Sequence, residues 1–230
     1  MNKKKIVVLT GAGISAESGI KTFRDADGLW EGHDVMQVAS PQGFAANPEL
    51  VLEFYNQRCT QLDEVVPNAA HTALAELESK YHVTIVTQNV DDLHERGGST
   101  NIIHLHGELR KMRSTEDPEL IYDYDKPIKL GDTCERGAQL RPHLVWFGEP
   151  VPMLEVAAAT TMSADILIII GTSMQVYPAA GLIGFVEPHT PKYFIDPRPA
   201  IRASDYPNLT IFAEKATSGV RRVVDILMDR

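Results

Sequence analysis

Cysteine is scarce in this sequence, which carries only Cys59 and Cys134 among its 230 residues. Two cysteines supply no disulfide framework, and one chain cannot build a metal site with four thiolate ligands from them. The count suits a reducing compartment. The only basic run, residues 3–5, leads straight into a strand-like segment and not into a long apolar stretch. We therefore expect no signal peptide and a cytoplasmic protein.

Positive charge is also in short supply. The 22 Lys and Arg residues stand against 31 Asp and Glu residues, which gives a formal net charge of −9 at pH 7. A surface of this sign repels phosphate groups, so we expect neither nucleic acid nor membranes as partners. The 43% of hydrophobic residues are enough for one sizeable core, with at most a small added module. A monomer is the favoured assembly.

Short apolar runs of the strand type alternate with helical patterns along the chain. The strand candidates are residues 6–10, 83–87, 102–105, 166–170, 193–195 and 209–212, and the helical patterns cover residues 48–62, 69–80, 151–162 and 218–228. Strands that alternate with helices predict an α/β fold with a doubly wound parallel sheet. The continuous apolar run from Ile166 to Ile170 is typical of a central strand buried on both faces.

Two stretches interrupt this alternation. Residues 25–67 are largely helical in pattern, whereas residues 109–140 are polar and show little strand or helix pattern. We interpret both stretches as insertions that form a smaller module. Residues 1–24, 68–108 and 141–230 then make up the main α/β domain.

Polar side chains follow the strand predicted at residues 83–87. Asn89, Asp91 and Asp92 would lie at its carboxyl end, where open α/β sheets bind their ligands. His104 and His106 follow the next apolar run, and their alternation would put both imidazoles on one face if the segment is extended. The plainer alternative is that the Asn and Asp residues only cap the next helix.

The first predicted strand runs into a turn rich in glycine and alanine. Gly11, Gly13 and Ala16 fit a relaxed dinucleotide-binding turn, in which backbone amides approach a pyrophosphate at a helix start. The signal is weak by itself, because such a turn can require glycine for steric reasons alone. No acidic residue plainly ends a second strand about 20 residues later, so an ordinary nicotinamide dehydrogenase is not favoured.

Five motifs, in one order, resemble the sirtuin family. They are residues 11–20 followed by Phe23 and Arg24, residues 87–94, His106 with Gly107, residues 141–149, and residues 171–173. The resemblance extends over about residues 7–224. It implies a Rossmann-like sirtuin fold, in which the main domain binds NAD. The activity that it implies is NAD-dependent deacylation of protein lysines, with acylated proteins as substrates.

The resemblance also implies roles for individual side chains. In sirtuins a histidine deprotonates a ribose hydroxyl after nicotinamide has left, and His106 matches that histidine; an imidazole suits this step because it titrates near neutral pH. The alternative for His106 is a buried structural histidine, and His104 lies outside the motif. Asn89 matches a second catalytic position. Together with Gln88 and Asp91 it would orient the nicotinamide ribose and carboxamide.

The cofactor-binding residues that the resemblance implies come from the turn, the polar cluster and later positions. They are Gly11, Ala12, Gly13, Ala16, Phe23, Arg24, Gln88, Asn89, Val90, Asp91, Gly171, Thr172, Ser173, Asp196 and Ala216. Asp196 stands where sirtuins commonly carry Asn. A carboxylate still accepts hydrogen bonds from ribose hydroxyls, but it donates none and brings a negative charge near the pyrophosphate.

One segment resembles the part of sirtuins that pairs with an extended substrate backbone. It comprises Val145, Trp146, Phe147 and Gly148. Recognition by strand addition would tolerate many peptide sequences. An ordinary buried strand that packs Trp146 and Phe147 is the alternative.

The acyl preference has its own indication in Tyr55 and Arg58, which are three residues apart and would share one helix face. A phenol and a guanidinium there could bind a terminal carboxylate. The pair resembles the signature of the sirtuin branch that removes succinyl, malonyl and glutaryl groups. Ala46, in the preceding loop, would make room for the longer acyl chain, and deacetylation would survive as a weaker activity. The alternative is two ordinary residues at a helix edge.

The sequence departs from the family at the zinc site, since sirtuins ordinarily carry two Cys-x-x-Cys pairs before the segment at residues 141–149. Ser114, Asp117, Cys134 and Gly137 stand at those positions here. One thiolate, one carboxylate and one hydroxyl do not make a tetrahedral structural site, so we predict no bound zinc. Packing would then stabilise the degenerate module. The candidates for this packing are Leu120, Ile121, Tyr122, Tyr124, Ile128 and Leu130. Residues 117–130 could instead form a mobile flap.

Two rival functions remain open at this point. Transfer of ADP-ribose from NAD to a protein side chain would use the same cleavage of nicotinamide. A non-catalytic NAD-binding module, in which the altered small domain recruits a partner, would need none of the catalytic residues. The presence of His106 with Tyr55 and Arg58 favours deacylation over both.

Overall fold

The structure is a computed structural model, and it describes residues 3–21, 29–30 and 32–229. The strands are β1 (Lys5–Thr10), β2 (Leu29–Trp30), β3 (His33–Asp34), β4 (His82–Thr87), β5 (Ile102–His104), β6 (Gly107–Ser114), β7 (Ile121–Asp123), β8 (Leu140–Leu144), β9 (Ile166–Ile170), β10 (Lys192–Ile195) and β11 (Leu209–Phe212). The α-helices are α1 (Val35–Val38), α2 (Pro41–Ala46), α3 (Pro48–Glu64), α4 (Ala69–Glu76), α5 (Leu93–Arg96), α6 (Leu154–Met162) and α7 (Ala216–Met228). Within this part of the chain, no helix is long and apolar enough to cross a membrane.

Six strands form one parallel sheet in the order β11, β10, β9, β1, β4, β5. β1 pairs with β4 on one side and with β9 on the other, and Thr10 aligns with both Thr87 and Ile170. The chain therefore builds outward from β1 in one direction, then returns beside β1 and builds outward in the other. The carboxyl ends of β1, β4 and β9 meet at this reversal, where open α/β sheets leave a crevice for a ligand.

Helices cover both faces of this sheet, which confirms the doubly wound α/β prediction. α4 and α7 pack on one face, where Leu74 and Val223 belong to one apolar cluster. α6 and the 3-10 helix Ala179–Phe185 cover the other face, through residues such as Ala157 and Leu182. All five residues of β9 are buried, because each of its faces meets an apolar layer.

The helical insertion is built around α3. Asn47 begins this helix by accepting the backbone N–H of Leu50 on its side chain, and Pro48 occupies the first helical position. The helix ends before Val66, which precedes Pro67 and is therefore biased away from helical geometry. The buried residues of α3 recur at helical spacing and are Val51, Leu52, Phe54, Tyr55, Cys59 and Leu62. This face packs against residues of the small sheet.

Residues 109–140, whose sequence shows little strand or helix pattern, nevertheless hold regular structure. β6, β7 and β8 form an antiparallel sheet in the order β7, β6, β8. In β6, buried Leu109 and Met112 are separated by half-buried charged side chains such as Arg110, and a register irregularity lies between Gly107 and Met112. Long charged side chains cover the sheet with their aliphatic stems, and this together with the irregularity hides the strand pattern in the sequence.

The boundaries of the small sheet differ from those predicted for the two domains. β6 begins at Gly107, and β8 extends from Leu140 to Leu144 and pairs with it. Residues 141–144, predicted to lie in the main domain, therefore belong structurally to the small sheet.

Residues 117–130 are docked on α3. The Asn56 side chain accepts the backbone N–H of Ile128 and donates to its carbonyl oxygen, both at 2.9 Å, and it accepts the Tyr124 hydroxyl at 3.1 Å. Ile128 is buried, which favours the packed arrangement over a mobile flap. Leu120, Tyr122 and Tyr124 pack against the same cluster. The prediction of packing is wrong for Ile121 and Leu130, which are 43% and 53% exposed.

Candidate active site

The floor of the crevice is made of glycine backbone. Gly11 donates its N–H to the carbonyl oxygen of Ile170 at 3.0 Å, and Gly13 donates to that of Gly171 at 2.9 Å. A Cβ on Gly13 would lie 2.5 Å from the Gly171 Cα, and Gly171 itself has a φ of +60°. The ends of β1 and β9 thus touch backbone to backbone, and only glycine fits. The close backbone contact therefore requires glycine for steric reasons. The same glycines present backbone without side chains toward the crevice.

The turn after β1 differs from the expected helix start. Two short 3-10 helices, Ala12–Ile14 and Ala16–Ser18, follow the strand. Ala12 is half-buried and Ala16 is exposed. Glu17, which the sequence analysis did not select, accepts the backbone N–H of Thr217 at 3.0 Å and its hydroxyl at 2.9 Å. This carboxylate connects the turn to the start of α7, where a negative charge is favourable.

A buried hydrogen-bond network joins the turn to the end of β4. Asn89 donates from Nδ2 to the Ser15 hydroxyl at 3.1 Å, and that hydroxyl donates to Asp91 at 2.9 Å. Burial raises the pKa of Asp91 above its ordinary value, against the lowering effect of hydrogen bonds from Leu93 and Ser15. Ser15 is a site residue that the sequence motifs alone do not single out. Its position within the glycine turn, opposite the polar cluster, is the indication that could have identified it.

The capping alternative for the polar cluster holds only in part. Asp91 accepts the N–H of Leu93 at the start of α5, in addition to its bond with Ser15. Asp92 occupies the N-cap position but makes no capping bond; its carboxylate contacts Arg96 at 3.2 Å and Arg110 at 3.3 Å. Asn89 points into the network with Ser15.

His106 lies in the turn between β5 and β6, facing the end of β4. Its Nδ1 is 3.0 Å from the carbonyl oxygen of Gln88, so Nδ1 carries the proton and Nε2 keeps its lone pair. Burial lowers the pKa of His106, which keeps the ring neutral at neutral pH. A neutral imidazole with a free Nε2 lone pair is the form that accepts a proton.

His104 and His106 do not lie on one strand, which corrects the expectation of an extended segment. The chain turns at residues 105–106, between the end of β5 and the start of β6. His104 Nε2 contacts the Glu95 carboxylate at 2.7 Å. Burial lowers the pKa of His104, but the bond and charge of Glu95, the charge of Glu108 and a hydrogen bond with the Asn89 backbone together outweigh it, and the net shift is upward. His104 therefore has structural partners of its own in Glu95 and the Asn89 backbone.

The remaining predicted cofactor residues lie along the same edge of the sheet. Gln88 donates to the Thr172 hydroxyl at 3.3 Å, which connects the ends of β4 and β9. Thr172 is buried, and Ser173 is half-buried. The Val90 carbonyl accepts the N–H of Leu109 at 2.8 Å and so joins the cluster to β6.

Two predicted cofactor residues come from later elements, at the ends of β10 and β11. Asp196 follows β10 and is buried; its carboxylate accepts the N–H of Arg198 at 2.8 Å. Ala216 is buried at the first position of α7. Phe23 and Arg24 lie outside the described residues.

Tyr55 and Arg58 project from α3 beside the segment at residues 145–148. Tyr55 is buried, and its hydroxyl accepts the indole N–H of Trp146 at 3.1 Å. The Arg58 guanidinium carbon lies 5.3 Å from the centre of the Phe54 ring. Ala46 is the last residue of α2 and is exposed, so it is helical and not in a loop as predicted.

The segment at residues 145–148 follows β8 and is not a strand, so the alternative of an ordinary buried strand is wrong. Val145 donates its N–H to the His106 carbonyl and Phe147 donates to that of Ala39, both at 2.9 Å. Trp146 is buried, whereas Phe147 is 44% exposed and is followed by Gly148 with a φ of +89°. The predicted substrate segment is thus anchored at one end to the loop that carries His106.

The four positions of the family's zinc ligands meet in the small module, but they do not fit a metal. The Ser114 hydroxyl accepts the N–H of both Glu116 and Asp117 at 3.2 Å, and Cys134 Sγ lies 3.5 Å from it. The Asp117 carboxylate pairs with Arg136 at 2.6 Å. Across the described part of the chain, no group of three or more His, Cys, Asp or Glu residues could hold a metal ion. One thiol and one engaged carboxylate fall short of a tetrahedral zinc site.

Comparison with known proteins identifies the family. The sequence pattern that defines the Sir2 family matches residues 11–178. This chain belongs to the Sir2 family. A relative from Helicobacter pylori (strain ATCC 700392 / 26695), named NAD-dependent protein deacylase, is 62% identical over 195 residues, which cover 85% of each chain. One from Bacteroides thetaiotaomicron with the same name is 49% identical over 231 residues, which cover 98% of each.

Solved Sir2 structures resemble the whole chain. A Sir2 homologue in complex with NAD has a TM-score of 0.87 and 39% identity, with 99% of this chain and 90% of that chain covered. A mutant Sir2 homologue in complex with ADP-ribose has a TM-score of 0.89, also at 39% identity, with 99% and 93% covered. The Sir2 fold and the family resemblance expected from the sequence are confirmed.

Proposed function

We propose that this Sir2-family chain removes acyl groups from protein lysines with NAD, and that it favours acyl groups that end in a carboxylate, such as succinyl and malonyl. The products would be free lysine, nicotinamide and O-acyl-ADP-ribose. The relatives named NAD-dependent protein deacylase support the reaction class. The observation that carries the proposal is the convergence of His106 with the Ser15, Asn89 and Asp91 network at the carboxyl ends of β1 and β4.

The residues present at this edge fit NAD. Gly11, Gly13 and Gly171 leave backbone where a Cβ would intrude, which suits a pyrophosphate. NAD supplies the ribose carbon whose bond to nicotinamide is broken. Asn89 and Asp91 are held in fixed positions by Ser15, and we assign them the orientation of the nicotinamide ribose.

His106 is assigned the role of general base. The Gln88 carbonyl fixes its tautomer, so the lone pair at Nε2 is the one that would take a proton from a ribose hydroxyl. Because burial lowers its pKa, the imidazole is unprotonated and ready to accept this proton at neutral pH.

The acyl preference rests on α3. Tyr55 and Arg58 are three residues apart, and both offer hydrogen-bond donors, which match the acceptor oxygens of a carboxylate. A methyl group, as in an acetyl substrate, accepts no hydrogen bond from either side chain. Weaker deacetylation is therefore expected beside the main activity.

We also propose that the small module folds without zinc. The bonds of Ser114, the pair of Asp117 with Arg136, and the docking of Ile128 on Asn56 stand in place of metal ligation. The catalytic role proposed for His106 does not depend on this module.

The test uses matched lysine peptides that carry a succinyl or an acetyl group, incubated with the protein and NAD and followed by mass spectrometry. We expect faster succinyl removal, with one nicotinamide and one O-acyl-ADP-ribose formed per free lysine. Arg58→Met should reduce succinyl removal and leave acetyl removal nearly unchanged. Acetyl preference would refute the carboxylate proposal alone, whereas nicotinamide release without lysine deacylation would favour ADP-ribosyl transfer. Binding of NAD without turnover of either peptide would favour the non-catalytic module.

A further inference from the structure

We infer that Trp146 is a positioning residue for acyl recognition. Its indole N–H donates a hydrogen bond to the Tyr55 hydroxyl oxygen, and this bond directs the hydroxyl proton toward the acyl group. The inference rests on the proposed preference for acyl groups that end in a carboxylate. It concerns how the phenol is prepared for that carboxylate, and it adds a residue outside the pair on α3.

The direction of the hydrogen bond is fixed by chemistry. An indole N–H can only donate, so at 3.1 Å the Tyr55 oxygen is the acceptor. The phenol then keeps one proton to donate. Among the described residues, no acceptor lies within hydrogen-bonding distance of that proton. Tyr55 and Trp146 are 2% and 3% exposed, so water satisfies this donor poorly. A buried donor without an acceptor is costly, and an arriving carboxylate oxygen would relieve that cost.

Tyr55 also stays in its donor form. Burial raises the pKa of the Tyr55 hydroxyl well above its ordinary value, and this outweighs the lowering effect of the bond from Trp146. The phenol is therefore protonated at any pH at which the protein would work. Its orientation is restricted because Trp30 and Phe54 contact its ring edge-on, with centroids 6.0 Å and 5.1 Å away.

The position of the Trp146 indole is fixed by its own neighbours. The guanidinium carbon of Arg141 lies 3.3 Å from the centre of the indole, a stacked arrangement. Arg141 donates to both carboxylate oxygens of Glu149, at 2.6 Å and 3.1 Å, and to the Leu144 carbonyl at 3.0 Å. Glu149 also accepts the backbone N–H of Trp146 at 2.7 Å. The indole cannot turn away without breaking this bidentate ion pair.

The inference predicts a specific defect for Trp146→Phe. Phenylalanine keeps an aromatic ring between Phe44 and Arg141 but removes the N–H, so the Tyr55 hydroxyl can rotate and its proton is no longer aimed at the acyl group. For a succinyl-lysine peptide we expect KM to rise about tenfold with kcat nearly unchanged, as for a lost hydrogen bond that binds ground and transition states alike. For the acetyl peptide KM should rise by a clearly smaller factor, because acetyl has no carboxylate to bind and any change in backbone pairing at residues 145–148 affects both peptides alike.

A double-mutant cycle tests whether Trp146 acts through Tyr55. In a Tyr55→Phe background, Trp146→Phe should cost nothing further for the succinyl peptide, because the oxygen that the indole orients is already gone. In an Arg58→Met background it should still cost about tenfold, since Arg58 contributes separately. Equal losses in the wild-type and Tyr55→Phe backgrounds would overturn the inference, as would equal losses for succinyl and acetyl peptides.

A spectroscopic readout stays available if Trp146→Phe does not fold. The chain has only two tryptophans, so a 15N-edited NMR spectrum shows two indole N–H signals. Tyr55→Phe should move one of them upfield, and a saturating succinyl peptide should move that same signal in the wild type. If neither change moves an indole signal, the hydrogen bond on which the inference depends is absent. Acetyl preference in the wild type combined with a shifted signal would instead refute the proposed substrate and leave the hydrogen bond standing.

Discussion

The edge of the parallel sheet and the small module differ in what holds them together. At the sheet edge, glycine backbone is hydrogen-bonded directly to glycine backbone with no room for a Cβ, and the polar side chains form one buried network. In the small module, the family's metal-ligand positions are occupied by Ser114, Asp117, Cys134 and Gly137, which bond to each other and to Arg136. The sheet edge has no room for a Cβ at its glycines, whereas the small module is joined by side-chain hydrogen bonds and an ion pair.

The largest expected effect is on chemistry at the sheet edge. His106→Asn should lower the rate of deacylation by about 10²- to 10⁴-fold, the usual contribution of a general base. Binding of NAD, measured by calorimetry, should change little. His104→Asn on the adjacent strand is the matched control and should retain far more of the rate, because the His104 imidazole is engaged by Glu95 and the Asn89 backbone and is assigned no proton transfer. Equal losses in both variants would remove the distinction between the two histidines.

The next effect is on the glycine floor. Gly13→Ala would place a Cβ 2.5 Å from the Gly171 Cα. Neither atom can move away unless the backbone itself shifts. We expect about 3 kcal/mol of lost stability and weaker NAD binding, measured by thermal unfolding and calorimetry. Gly184→Ala is the control, since nothing lies within 4 Å of its added Cβ. A Gly13→Ala protein as stable as the control would mean that the two strand ends are not in contact.

Low pH should lower the free energy of unfolding through the buried His71 side chain. Burial lowers the pKa of His71 to about 4. Between about pH 6.5 and 4 the unfolded chain binds a proton at this residue and the folded chain does not. The free energy of unfolding is therefore highest above about pH 6.5 and falls as the pH drops toward 4. The loss should reach on the order of 2 to 3 kcal/mol by pH 4. Chemical denaturation at a series of pH values would measure it.

His71→Gln provides the comparison for the acid effect. His71 accepts the N–H of Asn68 in a capping box, and Gln suits that position while carrying no titratable group. The variant should lose less stability between pH 6.5 and 4 than the wild type, although His94 still contributes because burial lowers its pKa as well. An unchanged slope would show that His71 is already protonated in the folded protein.

The smallest of these effects concerns the module. Asn56→Ala removes both bonds to Ile128 and the one to Tyr124, which should cost about 2 kcal/mol. Asn101→Ala, at an exposed position bonded to Thr84, should cost much less. Treatment of the wild type with a zinc chelator should leave its melting temperature unchanged. A lowered melting temperature, restored by added zinc, would contradict the metal-free module.

The parallel sheet can be predicted from the sequence, and the small sheet cannot, for physical reasons. A strand buried on both faces must be apolar throughout, so β9 and its neighbours are visible as apolar runs. The small sheet is not visible in this way, because Lys111 and Arg113 stand where a simple alternation from buried Leu109 would place apolar residues.

A site residue could be predicted from the sequence where a motif specifies it. It could not be predicted where its role depends on tertiary packing. Asn89 and Asp91 were identifiable from the polar cluster, but the hydroxyl of Ser15 that joins them depends on how β1 and β4 align. Likewise, Arg141 belongs to a recognisable motif, but its stacking on Trp146 follows only from the tertiary structure.

One competition experiment tests the central claim most directly. Equimolar succinyl-lysine and acetyl-lysine peptides of one sequence are incubated in a single tube with the protein and NAD, and both are followed by mass spectrometry against released nicotinamide. We predict that the succinyl peptide is consumed first, with one nicotinamide released for each lysine freed. Nicotinamide release without freed lysine, or no consumption of either peptide, would contradict the assignment of this site to deacylation.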